Sequence, residues 1–353
     1  MTTYPSELRA ALAARTRRHI LLLLIGLMLL AAAMLVCASL GVTDASFAVV
    51  IQTIRHALAG AEPAATAEKV ILNLRLPRIV LGALVGAGLA GSGAVMQGVS
   101  RNPLVSPFTI GISSAAAFGA STAIVFGFSF FGFSAAGVVT NAFIAAMLCA
   151  ALVFLVSIRL RLTAEGFILT GIALNYLFQA CSTAIQFIAS EAKLAEVVAW
   201  SFGSLNGASW PQVRVVAAAV LVPSALLLML HHPLTMMATL EDDIVKTMGV
   251  RPAGIRMAAT ILSVLMTAAS ISFTGVIGFV GLASPHIARA LAGSRYRILL
   301  PLSMLTGSLL VVLADTVGRL ILSPIMIPVG IVIAFIGVPV FVHQVIRSRR
   351  NSL

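Results

Sequence analysis

Long apolar stretches separated by short polar connections run along the whole chain. Ten of them approach the roughly 20 apolar residues that a helix needs to cross a bilayer. They lie at 20–41, 79–98, 104–126, 133–158, 165–190, 212–230, 257–274, 276–292, 298–320 and 328–346. The stretch 276–292 is short and contains Pro285, His286 and Arg289, but without it the last two helices would be inverted. The pattern therefore predicts an all-α polytopic membrane protein with about ten transmembrane helices.

The composition supports one membrane domain. Hydrophobic residues make up 60% of the chain and charged residues 10%, against roughly 45–50% apolar residues in soluble domains. No stretch outside the apolar runs is long enough to build its own core. We expect a transmembrane domain at 20–346, preceded by a segment at 1–19 and followed by a tail at 347–353. The first apolar run exceeds the roughly 7–15 residues of a signal-peptide core, so it is predicted to be a retained helix.

The net charge of +12 comes from basic residues in short connections rather than along a soluble face, which argues against a nucleic-acid partner. Arg159, Arg161, Arg295 and Arg297 fall on one side of the predicted topology, together with the segment 231–256. Cytoplasmic loops carry an excess of Lys and Arg. We therefore expect a multi-pass protein of the inner membrane with both termini in the cytoplasm.

The sequence contains no phosphate-cradling loop of the Gly-x-x-x-x-Gly-Lys-Ser/Thr type. A phosphate-cradling loop needs Gly-Lys-Ser/Thr after a glycine-rich turn. The only lysines, Lys69, Lys193 and Lys246, each follow a residue other than glycine. If transport uses ATP, a partner subunit binds the ATP and Mg²⁺, and this chain is expected to be neither an enzyme nor a cofactor-binding protein.

Few polar residues within the apolar runs are candidates for a proton relay or a metal site. Asp315 and Arg319 lie four residues apart on one helical face, which predicts an internal ion pair and weakens the hypothesis of a proton relay. The cysteines and the lone histidines lack metal-ligand spacing, so no metal site is predicted. These residues are Cys37, Cys149, Cys181, His286 and His343.

Several segments carry a specific resemblance to one family. They are Arg75-Leu76-Pro77-Arg78-Ile79, Gly88 to Gln97, Asn102-Pro103-Leu104, Thr170 to Asn175, Trp200 to Trp210, Gly278 to Arg289, Leu299-Leu300-Pro301, Ala314 to Arg319 and Ile327 to Ile331. Together they resemble the FecCD-type permeases, the ten-helix subunits of binding-protein-dependent ABC importers for ferric siderophores, haem and cobalamin. The resemblance implies the fold of the cobalamin-importer permease, a type II ABC importer.

The resemblance also implies sites at the two ends of the helices. Arg75, Arg78 and Arg319 match arginines that dock glutamates of the periplasmic binding protein, and an arginine fork suits carboxylates. A cytoplasmic loop at about 238–256 matches the segment that couples to the ATPase. Its polar stretch can form a short helix with acids in the first turn and a glycine stop. The predicted coupling residues are Glu241, Asp242, Asp243, Lys246 and Gly249.

Other assignments from the resemblance are less direct. Thr163, Ala164 and Glu165 fall where the family places an inner gate, although a simple pair of hydroxyls is absent here. Met326 stands where relatives commonly have glutamate, which bears on cargo or partner. Amides offered as lining the translocation path, each equally able to form an interhelical hydrogen bond, are Gln97, Asn175 and Asn206.

The sequence thus predicts the membrane-spanning subunit of an ABC importer. Its expected partners are ABC ATPase subunits, a periplasmic binding protein, the lipid bilayer and a second permease subunit, identical or paralogous. The cargo order is ferric siderophore, haem, then cobalamin, on family frequency alone. The alternatives are an ion-coupled secondary transporter, and a membrane scaffold or receptor that only holds the binding protein.

Overall fold

A computed structural model describes residues 6–40, 46–60, 65–130, 135–159 and 164–350 of the chain, and these residues contain helices and no strand. The long apolar helices are α1 (Ser6–Ser39), α4 (Leu76–Val99), α5 (Ile112–Phe126), α6 (Ala135–Arg159), α7 (Ala164–Ile188), α9 (Trp210–Met229), α12 (Pro252–Thr274), α13 (Val280–Ala292), α14 (Tyr296–Leu320) and α15 (Val329–Arg350). Short helices connect them: α2 (Phe47–Leu58), α3 (Thr66–Val70), α8 (Glu191–Ser201), α10 (His231–Thr239) and α11 (Asp242–Thr247).

Each predicted apolar run corresponds to one of the long apolar helices, and the all-helical membrane fold is confirmed. Among the described residues, seven helices are long and apolar enough to cross a bilayer. α5 begins only at Ile112, after Gly111 in a left-handed conformation with φ of 85°. α13 has 13 residues, which at 1.5 Å per residue is about 20 Å and shorter than a hydrocarbon core of about 30 Å. The helix at the expected crossing 276–292 thus has about two-thirds of the length that a full crossing needs.

α4 lies at the centre of the bundle, and glycines let its neighbours approach its backbone. The spacing of Gly82 and Gly86 predicts such close packing. A Cβ atom at Gly86 would lie 2.3 Å from the carbonyl oxygen of Gly307 on α14, and one at Gly93 would lie 1.9 Å from that of Gly281 on α13. No side chain fits at either place. The prediction of close helix packing around α4 is confirmed.

α1 runs along the outside of the bundle beside α14. Arg18 donates to the carbonyl of Leu291 over 3.3 Å, and a Cβ atom at Gly26 would lie 3.2 Å from Cδ1 of Leu305. Further along both helices, Cys37 of α1 and Val312 of α14 belong to one buried cluster, so the two helices are parallel. Most side chains of α1 between Ile20 and Val36 are apolar and exposed, as expected of a helix that faces lipid.

The chain enters α4 through a widened turn. Residues Ile71–Arg75 form a π-helical segment between α3 and α4, a local insertion often found at functional sites. Pro77 occupies the first turn of α4, where its missing N–H has no intrahelical partner to lose. This arrangement leaves Arg75 and Arg78 at the entrance to the central helix.

Candidate functional site

Two of the three predicted docking arginines, Arg78 and Arg319, meet around one buried carboxylate. Arg78 donates from Nε to Asp315 Oδ2 over 2.9 Å and from Nη2 to Oδ1 over 2.8 Å. This is the bidentate geometry that a guanidinium fork offers to a carboxylate. The Asp315 side chain is only 3% exposed and that of Arg78 14%. We call this arrangement, with Arg319, the Asp315 cluster.

Arg319 joins the cluster from the next turn of α14. Its Nε lies 3.3 Å from Asp315 Oδ2, but the atom lacks the alignment of a hydrogen bond. Its Nη2 donates to Thr316 Oγ1 over 3.2 Å. The ion pair predicted from the spacing of Asp315 and Arg319 is confirmed, but Arg78 is the better aligned partner.

Arg75 is the most enclosed of the three arginines. Its Nη1 donates to the carbonyl of Ala38 at the end of α1 over 2.8 Å, and the residue is 8% exposed. All three arginines nevertheless line one open pocket of about 660 Å³. Met326, the departure from the family pattern, lines the same pocket, and its Sδ lies 3.8 Å from Arg78 Nη1. A glutamate there would face Arg78.

The predicted coupling segment forms a short helix held by a second carboxylate cluster. Asp242 accepts from Arg256 Nη2 at both oxygens, over 3.1 and 3.0 Å, and from Arg101 Nη2 over 3.0 Å. Arg101 follows the end of α4, and Arg256 lies in the first turns of α12. We call this the Asp242 cluster. It ties α11 to the ends of two long helices.

Most other side chains of α11 face outward. Val245 is fully buried, whereas Ile244 and Met248 are 48% and 56% exposed. Lys246 donates to Asp243 over 2.8 Å, and this hydrogen bond lowers the pKa of the Asp243 carboxyl. Gly249 has φ of 82° and ends the helix as a left-handed cap. The short helix and its glycine stop were predicted correctly from the sequence.

The coupling residues therefore divide into two groups. Asp242 is half-buried and pairs with Arg101 and Arg256, and Gly249 shapes the backbone. Glu241, Asp243 and Lys246 lie on the exposed side of the segment. Sequence reasoning missed Arg101 and Arg256; a signal for Arg101 was its position between the end of α4 and the Asn102-Pro103 turn.

The three amides offered as path residues do not come together. Gln97 is buried, donates to the carbonyl of Gly281 over 3.4 Å and accepts from Arg289 Nη2 over 3.0 Å. Asn175 accepts from the Ser114 hydroxyl. Asn206 accepts from Arg78 Nη1 over 2.7 Å and so belongs beside the Asp315 cluster. Gln97 and Asn175 make the interhelical hydrogen bonds that were the alternative interpretation.

The predicted gate falls at a boundary of the described chain. Thr163 lies outside the described residues, as do the side chains of Ala164 and Glu165 at the start of α7. The role of these residues stays a prediction. Among the side chains that are described, no three His, Cys, Asp or Glu residues form a metal-binding group.

Comparison with known proteins identifies relatives along nearly the whole chain. Residues 11–347 match the FecCD transport family. The iron(3+)-hydroxamate import system permease of Bacillus subtilis is 36% identical over 96% of this chain and 86% of its own. The molybdate import system permease of Haemophilus influenzae is 38% identical over 81% and 83%, respectively. A solved structure described as an inward-facing conformation of a putative metal-chelate type ABC transporter superposes with a TM-score of 0.82 at 34% identity, covering 92% of this chain and 98% of that one.

Proposed function

This chain belongs to the FecCD transport family and is a permease subunit of the metal-chelate class of ABC importers, and we propose that its cargo is an iron chelate. A ferric siderophore is the first candidate, followed by haem and cobalamin. The relative named for iron(3+)-hydroxamate covers 96% of this chain, which supports iron. The relative named for molybdate has a similar identity, so cargo must be tested directly.

The observation that supports transport driven by a partner ATPase is the exposed face of α11. Ile244 and Met248 expose apolar surface at the tip of a polar segment, while Asp242 fixes that segment to α4 and α12 through two arginines. An exposed apolar residue on a rigidly held helix is suited to insertion into a groove of a partner. We propose that the partner is the ATPase subunit, which transmits closure through this segment.

The Asp315 cluster is proposed to receive the binding protein. Arg78 and Arg319 both pair with the Asp315 carboxylate beside the pocket that all three predicted arginines line, so these two arginines together carry more positive charge than Asp315 neutralises. Acidic groups of a docking protein complement it, and such charges fix register at a transient interface. The inner-membrane location, the cytoplasmic termini and a second permease subunit across the path are parts of the same proposal.

A test of the docking role should not break the ion pair between Arg78 and Asp315, which stabilises the fold. Reversing Arg78 to glutamate would place a second carboxylate against Asp315 and perturb the fold. Arg319→Gln is preferable because the Nε of Arg319 is not aligned with Asp315. We expect it to weaken stimulation of ATP hydrolysis by the binding protein, whereas Arg214→Gln, at an exposed arginine of α9, should not. Equal stimulation in both variants would contradict the docking role.

The function itself is tested by uptake into proteoliposomes. The permease and its ATPase are reconstituted, and binding protein loaded with ferric siderophore, haem or cobalamin is supplied in parallel. ATP-dependent accumulation of an iron chelate is the expected result. Accumulation driven by an ion gradient without the ATPase would overturn the proposal in favour of a secondary transporter. Binding without uptake would favour a scaffold.

A further inference from the structure

A basic pocket lies between α10, the short helix that precedes α11 in the chain, and the start of α14. It has a volume of about 320 Å³ and is lined by His231, His232, Thr235, Met236, Arg295 and Arg297. Arg295 and Arg297 are exposed, and no carboxylate in the described part of the chain lies within ion-pair distance of either. These two arginines at the rim of the pocket therefore carry positive charge that no described carboxylate neutralises.

The start of α1 adds to this charge. Arg18 contacts the backbone of Leu291, four residues before Arg295. His19 lies within electrostatic range of Arg295, Arg15 and Arg18. Basic groups from three helices and their connections thus converge beside the pocket, which indicates an anionic ligand.

An apolar groove of about 710 Å³ lies between α1, α4, α9 and α14. Its wall includes Ile20, Leu84, Leu228 and Leu305. The hydroxyls of Ser224 and Ser308, which also line it, donate to the carbonyls of Val220 and Ala83. Their polar hydrogens are therefore used within the protein, and the groove offers a hydrocarbon surface.

The groove and the pocket follow one another along the same elements. Leu228 of the groove lies three residues before His231 of the pocket, and Pro301 lies one helical turn after Arg297. Ile20 of the groove directly follows His19 on α1. One turn of helix rises about 5.4 Å, so a single ligand can span the charged and the apolar parts.

We propose that this composite site binds an anionic phospholipid, with the headgroup phosphate in the basic pocket and one acyl chain in the groove. The exposed apolar face of α1 places the groove at hydrocarbon depth, and clustered arginines beside helix ends suit anionic headgroups. A second copy of this chain would have to supply both carboxylates and an apolar ridge. A lipid supplies both parts in one molecule.

The first experiment measures lipid retention on the full chain. The purified permease is delipidated, incubated with phosphatidylglycerol or phosphatidylcholine, and examined by native mass spectrometry. Arg297→Gln should weaken phosphatidylglycerol binding about fivefold, since each arginine near an anionic surface contributes about 1 kcal/mol. Arg159→Gln is the matched control because Arg159 is an exposed arginine at the end of α6, outside the pocket. Equal weakening in both variants would overturn the proposal.

A second set of variants separates charge from folding. Arg297→Lys keeps the charge and should retain phosphatidylglycerol binding. Ala225→Trp, which fills the groove without changing charge, should weaken binding although the basic pocket is intact. Phosphatidylcholine binding equal to that of phosphatidylglycerol would contradict the headgroup assignment. A change in oligomeric state, with lipid binding unchanged, would assign the groove to a second copy of the chain instead.

Discussion

The two ends of this bundle are built around the same motif, one aspartate held by two arginines, but in different surroundings. At one end the side chains of Asp315, Arg78 and Arg319 are 3%, 14% and 12% exposed. At the other end those of Asp242, Arg101 and Arg256 are 31%, 36% and 32% exposed. Water screens the second cluster and can replace a lost partner there, whereas in the first a lost partner leaves a buried charge.

The difference in exposure between the two clusters matches what each cluster holds together. The Asp315 cluster holds α4 and α14 together and presents arginines at a pocket. The Asp242 cluster attaches the small, largely exposed helix α11 to the ends of α4 and α12. Arg78 and Arg101 lie at opposite ends of α4, whose 24 residues span about 36 Å. α4 thus runs from the proposed docking site to the proposed coupling site.

The largest expected effect comes from removing the buried carboxylate. Asp315→Asn keeps the shape but leaves Arg78 and Arg319 without a counter-charge. We expect the free energy of unfolding to fall by about 3 kcal/mol, at the lower end for breaking a buried ion pair. Thermal melting in detergent measures the change. Asp243→Asn, at an aspartate whose side chain is 90% exposed, is the control. Equal melting temperatures for the two variants would contradict the role given to the Asp315 charge.

Removing one partner from the Asp242 cluster should lower the free energy of unfolding by less. Arg256→Gln removes two hydrogen bonds to Asp242 and one to the carbonyl of Val99, but Arg101 still holds Asp242. A loss of about 2 kcal/mol is expected from hydrogen bonds to a charged group. The ratio of cargo transported to ATP hydrolysed should fall because α11 is attached less firmly. A larger loss of stability than in Asp315→Asn would reverse the comparison.

A backbone change in the coupling segment should have a smaller effect. Gly249→Ala places a Cβ atom at φ of 82° with open space around it. The cost is therefore conformational, about 1 kcal/mol. Gly254→Ala is the matched control, because Gly254 also has open space but lies within α12 without a positive φ. If both variants melt alike, Gly249 is not needed for the shape of the segment.

The smallest effect on stability is expected at the exposed tip of α11. Met248→Asp changes a side chain that is 56% exposed, and surface substitutions usually alter stability by less than about 0.5 kcal/mol. Co-purification of the ATPase should nevertheless be lost, since the apolar contact is removed. Met257→Asp, at a methionine of α12 that is 46% exposed, tests whether any exposed methionine has this effect. Retained ATPase in Met248→Asp would contradict the proposed contact.

Most of the fold could be predicted from the sequence because membrane helices depend on local composition. Apolar runs of sufficient length predicted the long helices, and glycine spacing predicted the close packing of α4. The late start of α5 was missed because residues 104–111 are apolar but form turns. α2 and α8 were missed because they are short and lie outside the long apolar runs.

The contacts of the candidate site could be predicted from the sequence only in part. The spacing of Asp315 and Arg319 predicted their ion pair, because four residues bring side chains to one helical face. The hydrogen bond from Arg78 to Asp315 joins residues 237 positions apart, and nothing in the local pattern indicates it. For the same reason the amides of Gln97 and Asn206 were grouped although the structure separates them.

What the sequence determined by itself was the membrane class, the positions and rough limits of the long apolar helices, and the short helix that ends at Gly249. These follow from length, hydrophobicity and turn chemistry within a few residues. Only the tertiary structure decided that Asp315 pairs with Arg78, that Asp242 turns inward to Arg101 and Arg256, and that the basic pocket meets the apolar groove. Those contacts depend on how rigid helices pack against one another, and that packing brings together side chains from distant parts of the chain.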